Sequence, residues 1–185
     1  MIDQQCSPAG PPPGPPSEKQ KGGPVAGPFA DAIGGWAAGV TLLTLADGRD
    51  DIGTTVSAFC PVSTDPPLVL VSLIASSYPA EVLTRLDTFA VTLLAAGQRQ
   101  LAGRFAASGR PGARLLLDGV PHHRGAKSAA LIADDGLAAL ECQVTSRVPA
   151  GDHLLLVAAV LEVPYVAPDG APLVRFRGGY PALRS

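Results

Sequence analysis

The chain has 185 residues, of which 46% are hydrophobic, and this is enough to bury a single core. Charged residues make up only 16% of the chain and the formal net charge is -2, so the basic surface that nucleic acids or anionic membranes attract is missing. We therefore expect one folded domain, with no nucleic-acid partner and no membrane partner.

The cysteines and the apolar runs predict a cytoplasmic protein. Three cysteines cannot form a closed set of disulfides, and no Cys or His spacing indicates a metal site. The most apolar runs, residues 68–75 and 154–163, are shorter than the roughly 20 residues that cross a bilayer. The N-terminus has prolines where a signal peptide needs an apolar segment, so export is not expected.

The first 28 residues differ in composition from the rest. Residues 11–16 are prolines and one glycine, and polar residues follow up to Gly23. This composition predicts a disordered or polyproline-like tail at residues 1–28, with the folded domain at residues 29–185. A ligand for a proline-binding domain is the less favoured interpretation of the tail.

From residue 29 onward, short apolar runs alternate with Gly, Pro and Asp, a pattern typical of strands separated by turns. Helical spacing of apolar residues predicts two short helices at residues 80–86 and 98–107, and the Gly and Pro content predicts a long loop at residues 109–126. The loop is either a binding lid or a mobile excursion. Seven strands are predicted, near residues 40–45, 54–59, 68–73, 89–94, 137–147, 154–163 and 173–176.

This order of elements is mostly β. It lacks the regular alternation of strands and helices that a doubly wound parallel sheet requires. Many short strands interrupted by a few short helices favour a closed antiparallel barrel instead.

An ordered set of short segments identifies a resemblance. The chain contains WAAGVTLLT at residues 36–44, GTTVSAFCPVS at 53–63, DPPLVLV at 65–71, FAVTLL at 89–94, GDH at 151–153 and PLVRFRG at 172–178. Each segment alone is weakly specific. Together, over about residues 29–183, they resemble the flavin reductase domain family, the reductase component of two-component flavin-dependent monooxygenases.

The resemblance implies an FMN-binding split β-barrel with a few short helices. It also implies hydride transfer from NADH or NADPH to FMN or FAD, a homodimer, and a separate monooxygenase that receives the reduced flavin. No metal is needed for this reaction. Two other functions stay open: an oxidase of the same fold that keeps its FMN, and a non-catalytic flavin-binding or scaffold protein.

The first group of site residues lies in the second segment. Backbone N–H and C=O groups beside small side chains are able to approach the edge of a flavin ring, and N–H dipoles stabilise the negative charge of the reduced ring. Without the resemblance, the same residues form an ordinary strand with one face in the core. The resemblance assigns flavin contacts to Thr54, Thr55, Val56, Ser57 and Ala58, although the family commonly has Met at position 54.

Two further residues are implied to lie near the flavin phosphate. Ser77 matches a phosphate-binding serine of the family, but Pro79 stands where a threonine is usual. A helix N-cap is the alternative role for Ser77, and both roles are compatible. Gln98 opens the second predicted helix, near which the family also holds the phosphate, whereas Arg104 fits a solvated helix face better.

The third group is Gly151, Asp152 and His153. On turn chemistry alone this is a tight turn entering a strand. In the family, the corresponding residues face the nicotinamide, and the imidazole contacts the reducing cosubstrate. His153 is therefore the predicted catalytic side chain.

Overall fold

The computed structural model describes residues 25–48 and 50–183. The chain divides into two compact units, residues 1–33 and residues 34–185. Helix α1 (Ala26–Gly34) is the first described element, and it begins inside the range predicted to be a tail. The tail prediction for residues 1–24 lies outside the described residues.

The remaining elements are mainly strands. Three helices accompany them: α2 (Tyr78–Val82), α3 (Arg99–Ala106), which follows a 3-10 turn at Ala96–Gln98, and α4 (Ala113–Leu116). The strands are β1 (Ala38–Gly39), β2 (Thr41–Asp47), β3 (Asp50–Val56), β4 (Phe59–Thr64), β5 (Pro67–Ile74), β6 (Thr88–Leu93), β7 (His122–Arg124), β8 (Leu131–Ala133), β9 (Ala138–Ala150), β10 (His153–Val166) and β11 (Val174–Arg175).

Seven strands form one antiparallel sheet in the order β3-β2-β6-β9-β10-β5-β4. The two edge strands, β3 and β4, are consecutive in the chain and are joined by Ser57 and Ala58 alone. A two-residue connection brings both edges of the sheet to the same place. The sheet therefore curls into the split β-barrel that the sequence predicted.

The barrel is stabilised by burial of apolar side chains on both faces of β2. Leu43, Leu45 and Phe89 are fully buried in the cluster inside the barrel. Phe105 of α3 belongs to a second buried cluster outside it. A Cβ atom on Gly53 would collide with the Phe105 ring, so glycine at this position lets α3 pack directly on β3.

The predicted strands are confirmed except at residues 54–59, and β1, β4, β7 and β8 were not predicted. Residues 54–59 were predicted to be one strand, but β3 starts earlier, at Asp50, and ends at Val56. The apolar pattern did not show the start of β3, because its first two residues, Asp50 and Asp51, are acidic. The predicted long loop is also corrected, because residues 109–126 contain α4 and β7.

Candidate active site

Most of the predicted site residues meet in one cavity of about 210 Å³. It lies where β3, the connection to β4, the end of β5 and the start of β10 converge. Its lining consists of Thr54, Thr55, Val56, Ser57, Ala58, Ser72, Leu73, Ile74, Ser77 and His153. We call this space the ring cavity.

The backbone of β3 is available to a ligand because β3 is an edge strand. The carbonyl of Gly53 points away from the sheet, where it accepts a hydrogen bond from Arg110 Nε at 2.8 Å. Along an antiparallel strand, successive residues direct their N–H and C=O groups alternately toward and away from the neighbouring strand. Thr55 lies two residues after Gly53, so its N–H and C=O also point away from β2. Thr55 therefore presents a donor and an acceptor to the ring cavity.

The floor of the ring cavity is fixed by sheet hydrogen bonds. Ser72 N of β5 donates to Ala58 O at 2.9 Å, which ties the β3–β4 connection to the barrel. On the other side, His153 is paired with Ile74, the last residue of β5. The position of this wall is thus set by strand register and does not depend on long side chains.

His153 enters the cavity from a tight turn. Gly151 has a φ of +62°, a conformation that favours glycine, and Ala75 N donates to Asp152 O at 2.9 Å. The predicted turn between β9 and β10 is confirmed. Asp152 itself is exposed, so Gly151 and Asp152 shape the turn, and of the three residues His153 lines the cavity.

The imidazole of His153 has a defined orientation. Its Nδ1 lies 2.6 Å from Asp152 Oδ1 and donates to it, because a carboxylate is only an acceptor. This hydrogen bond lowers the pKa of Asp152 below its usual value. Nε2 makes no hydrogen bond to any residue in the described ranges, and is free to meet a ligand.

Ser77 has the N-cap role that the sequence offered as an alternative. Its Oγ accepts a hydrogen bond from Ala80 N at 3.4 Å, at the start of α2. The far end of α2 is held by Arg147, whose Nε donates to Leu83 O at 2.7 Å. Ser77 lines the ring cavity and also a second, larger space.

The second space, which we call the arginine cavity, measures about 720 Å³. It continues along β3 from the ring cavity, since Gly53 lines one and Thr54 the other. Sequence reasoning assigned it no residue except Ser77. Its lining includes Asp50, Asp51, Ile52, Gly53, Ser76, Ser77, Tyr78, Pro79, Ser108, Gly109, Arg110, Pro111 and Gly112.

A buried carboxylate fixes the wall of the arginine cavity. Asp51 is 5% exposed and accepts hydrogen bonds from both Arg114 of α4 and Arg124 of β7. Hydrogen bonds from Arg124, and then from Arg114, hold the pKa of Asp51 below its usual value against the opposing effect of burial. These ion pairs of Asp51 with Arg114 and Arg124, which we call the clasp, hold in place residues 109–126, the segment that was predicted to be a loop. The signal for this contact in the sequence was the acidic Asp51 directly before Ile52, which is buried.

Gln98 is not brought to either cavity. Its Oε1 accepts a hydrogen bond from Ala95 N at 2.9 Å, so the side chain caps the 3-10 turn. It lines a separate space together with Arg104. Its Nε2 is buried without a hydrogen-bond partner among the described residues, and the predicted contact of Gln98 with the flavin phosphate stays a prediction.

The ring cavity fits a flat, polar-edged ring system. Small side chains at Ser57 and Ala58 leave room for it, and the backbone of Thr55 supplies a donor and an acceptor at its edge. In residues 25–48 and 50–183, no group of three or more His, Cys, Asp and Glu side chains is placed to hold a metal. The helices of the same residues include none long and apolar enough to cross a membrane.

Comparisons with known proteins agree on one family. The family described as "Flavin reductase like domain" matches residues 33–184. The chain is 37% identical over 159 residues to the NADH-dependent FMN reductase AsuE2 of Streptomyces nodosus subsp. asukaensis, covering 84% of each chain. It is 34% identical over 155 residues to the reductase component of 4-hydroxyphenylacetate 3-monooxygenase from Thermus thermophilus, covering 84% of this chain and 95% of that protein.

A solved structure shows the same fold. The NADH:FAD oxidoreductase SgcE6 of Streptomyces globisporus superposes with a TM-score of 0.81 at 29% identity. The match covers 92% of this chain and 99% of that one.

Proposed function

The chain belongs to the flavin reductase like domain family and is a flavin reductase, and we propose that it transfers a hydride from NADH to FMN or FAD in the ring cavity. The observation that carries this proposal is the meeting of residues 54–58 with His153 in one cavity. These segments are nearly 100 positions apart in the chain, and the barrel brings them together.

The residues of the chain bind and orient the reacting rings. We propose that the Thr55 backbone contacts the polar edge of the isoalloxazine, whose N5 accepts the hydride when the flavin is bound. Ser57 and Ala58 leave the space that this ring requires. Holding two rings in contact is the protein's main contribution, because correct orientation alone lowers the barrier by several kcal/mol.

His153 is proposed to orient the nicotinamide. Asp152 holds Nδ1, so Nε2 is directed at the cosubstrate. A neutral imidazole accepts there from the carboxamide NH2, and a protonated one donates to the carboxamide oxygen. In both states the ring of the cosubstrate is fixed relative to the flavin.

The partner is proposed to be a separate monooxygenase. Reductase components of two-component monooxygenases are among the relatives of this chain, including proteins acting with 4-hydroxyphenylacetate and 4-nitrophenol oxygenases. We propose that this chain likewise supplies reduced flavin to an oxygenase. The cytoplasmic location predicted from the sequence stays a prediction.

We also propose that the chain is a homodimer. Val62 on β4 and Leu161 and Val163 on β10 are exposed at 41–53%, and burial of such apolar side chains favours association. Light scattering after gel filtration should give twice the mass of the 18.8 kDa chain. A mass equal to one chain would contradict the dimer.

The reaction is tested by following the absorbance of NADH. The purified chain should oxidise NADH when FMN or FAD is present, and should not do so after removal of all flavin. NADPH in parallel reactions determines the choice of cosubstrate. Absence of turnover with every combination would overturn the proposed reaction.

A further inference from the structure

Three exposed arginines lie where the end of the chain meets the start of α3. Arg99 is the first residue of α3, Arg175 lies on β11, and Arg177 follows Arg175 by two positions. Among residues 25–48 and 50–183, none of the three forms an ion pair with a carboxylate. Four other arginines of the chain each pair with an aspartate. The positive charge of the three is therefore open to a partner.

Aromatic rings hold these guanidinium groups in place. The Cζ atoms of Arg99 and Arg175 lie 5.6 and 5.9 Å from the centroid of the Tyr180 ring. The Cζ atom of Arg177 lies 5.2 Å from the centroid of the Phe176 ring. Stacking of this kind orients a guanidinium but does not cancel its charge. Because Arg99 and Arg175 share one ring, two like charges are held close together, and a negative group beside them would lower the energy of both.

The backbone presents Arg177 to solvent. Its φ is +47°, in the left-handed region that residues other than glycine rarely adopt, and Gly178 follows with a φ of +75°. Phe176 and Gly179 close this turn by hydrogen bonds in both directions, of 3.0 and 2.9 Å. A strained residue of this kind is often found at a functional site. The turn holds Arg177 at its tip.

Trp36 extends this surface. Arg177 N donates to Gly34 O at 2.9 Å, and Ala38 is paired with Arg175 on β11. The chain leading into β1 therefore runs beside β11, and Trp36, which is 74% exposed, lies between these two contacts. Trp, Tyr and Arg are the residues most enriched among those that dominate the binding energy of protein interfaces. We call the following six residues the cationic face: Trp36, Arg99, Arg175, Phe176, Arg177 and Tyr180.

The cationic face lies close to the ring cavity. Thr41 of β2 is paired with Val56, and Val56 lines that cavity. Ala38 precedes Thr41 by three residues, which span at most about 11 Å. A molecule bound on β1 and β11 is therefore held beside the wall of the ring cavity.

A protein is the occupant that these observations favour. The six residues line neither the ring cavity nor the arginine cavity, whereas small ligands are usually enclosed in concave sites. A second copy of the chain is disfavoured, because a two-fold axis through this face would bring two sets of three positive charges together. An acidic protein surface supplies the missing negative charge.

We propose that the cationic face docks an acidic surface of a partner protein and holds that protein beside the ring cavity. The inference goes beyond hydride transfer, which uses none of the six residues. It rests on the proposed function in one respect, because a protein that takes up reduced flavin is the partner that this position suits. A face of six side chains is small for a permanent interface and supports a transient complex.

Trp36 reports docking directly, because it is the only tryptophan of the chain. Short poly-L-glutamate serves as the acidic surface and is titrated into the protein while the emission of Trp36 is followed. Poly-L-lysine and AMP are titrated in parallel. The proteins are the parent, the double variant Arg175→Gln with Arg177→Gln, and Arg104→Gln. The last is a matched control, since Arg104 is also an exposed arginine of α3 without a carboxylate partner among the described residues, but lines a separate space.

Poly-L-glutamate should change the emission of Trp36 in the parent until the site is saturated. The double variant should bind it roughly tenfold more weakly or worse, because two of the three charges are lost. Arg104→Gln should bind it as the parent does. Raising the salt from about 0.05 to 0.2 M should weaken binding, since salt screens exposed charges. NADH oxidation with FMN and the thermal midpoint should be the same in all three proteins.

The contrary results are distinguishable. An unchanged emission of Trp36 with poly-L-glutamate, or equal affinity in the parent and the double variant, would show that no acidic surface docks here. AMP binding that the double variant loses would make the face a nucleotide site. A parent that elutes at a higher mass than the double variant would make it a contact between two copies. Failure of the parent to oxidise NADH with either flavin would overturn the proposed function and leave the docking result as measured.

Discussion

The two cavities are built by different physical means. The ring wall (residues 54–58, 72–74 and 153) is positioned by sheet hydrogen bonds and offers backbone groups and one imidazole. The arginine wall (residues 50–53 and 108–112) is positioned by the ion pairs of Asp51 with Arg114 and Arg124 and offers a charged side chain, Arg110. The ring wall is held by backbone hydrogen bonds between strands, whereas the clasp at Asp51 depends on side-chain charge.

This difference separates binding from stability. Substitutions at the exposed and half-buried residues of the ring wall, which are all of it except Val56 and Leu73, should change ligand affinity or turnover and leave the free energy of unfolding nearly unchanged. Substitutions at the clasp should lower the free energy of unfolding, because Asp51 is buried and joins three elements of the chain.

Ala58→Trp should have the largest effect on the ring wall. Ala58 is exposed, so an indole is accommodated without repacking the core, but it fills much of a cavity of about 210 Å³. We expect FMN affinity to fall by about a hundredfold or more, equivalent to about 3 kcal/mol. Calorimetric titration measures it. Val166→Trp, at an exposed position at the end of β10 outside the cavity, is the control and should bind FMN as the parent does.

His153→Ala should lower kcat/KM for NADH by roughly 5- to 150-fold, because one positioned hydrogen bond to the cosubstrate is lost. Flavin affinity should be unchanged. The control is His123→Ala, since His123 is also an exposed imidazole hydrogen-bonded to an aspartate, Asp134, but lies on β7. A His153 variant that binds flavin and oxidises NADH at the parent's rate would show that His153 has no role in the reaction.

The sequence revealed the ring wall well. Short apolar runs in β2, β5 and β10 predicted the strands of the barrel, and the turn at Gly151 was evident from turn chemistry. The resemblance alone suggested a function for residues 54–58 and His153, since their composition also fits an ordinary strand. The structure brings them together because β5 ends and β10 begins beside the β3–β4 connection.

The arginine wall was hidden for a physical reason. Its position depends on contacts between residues 63 and 73 positions apart, Asp51 with Arg114 and Asp51 with Arg124. Such contacts leave no periodic trace, and the Gly and Pro content of the segment indicates a loop. The position of Gln98 near a helix start suggested a phosphate contact, which stays a prediction; in the structure its Oε1 accepts a hydrogen bond that caps a turn.

Asp51→Asn tests whether the clasp carries stability. The uncharged amide is close in shape to the carboxylate but leaves Arg114 and Arg124 without a countercharge. We expect the free energy of unfolding to fall by about 1–3 kcal/mol in urea titrations, with riboflavin affinity retained. The control is Asp47→Asn, because Asp47 pairs with the exposed Arg85 and such surface pairs contribute less than about 1 kcal/mol. Equal losses of unfolding free energy in both variants would show that burial of Asp51 adds nothing to the stability provided by its ion pairs.

The same clasp predicts that the free energy of unfolding depends on pH, with a smaller effect than the Asp51→Asn substitution. Hydrogen bonds from Arg124 and Arg114 hold the pKa of Asp51 below its usual value in the folded chain. In the unfolded chain the carboxyl group titrates near about 3.9. The folded state therefore binds the proton only at lower pH, so the stabilising contribution is complete above about pH 5 and is lost as the pH falls through the folded pKa. The difference in thermal midpoint between the parent and Asp51→Asn should accordingly stay constant from about pH 7 to pH 5 and narrow toward pH 3. A difference that persists unchanged at low pH would mean that the Asn variant loses stability through altered packing, and that the ionised carboxylate is not what holds the arginine wall.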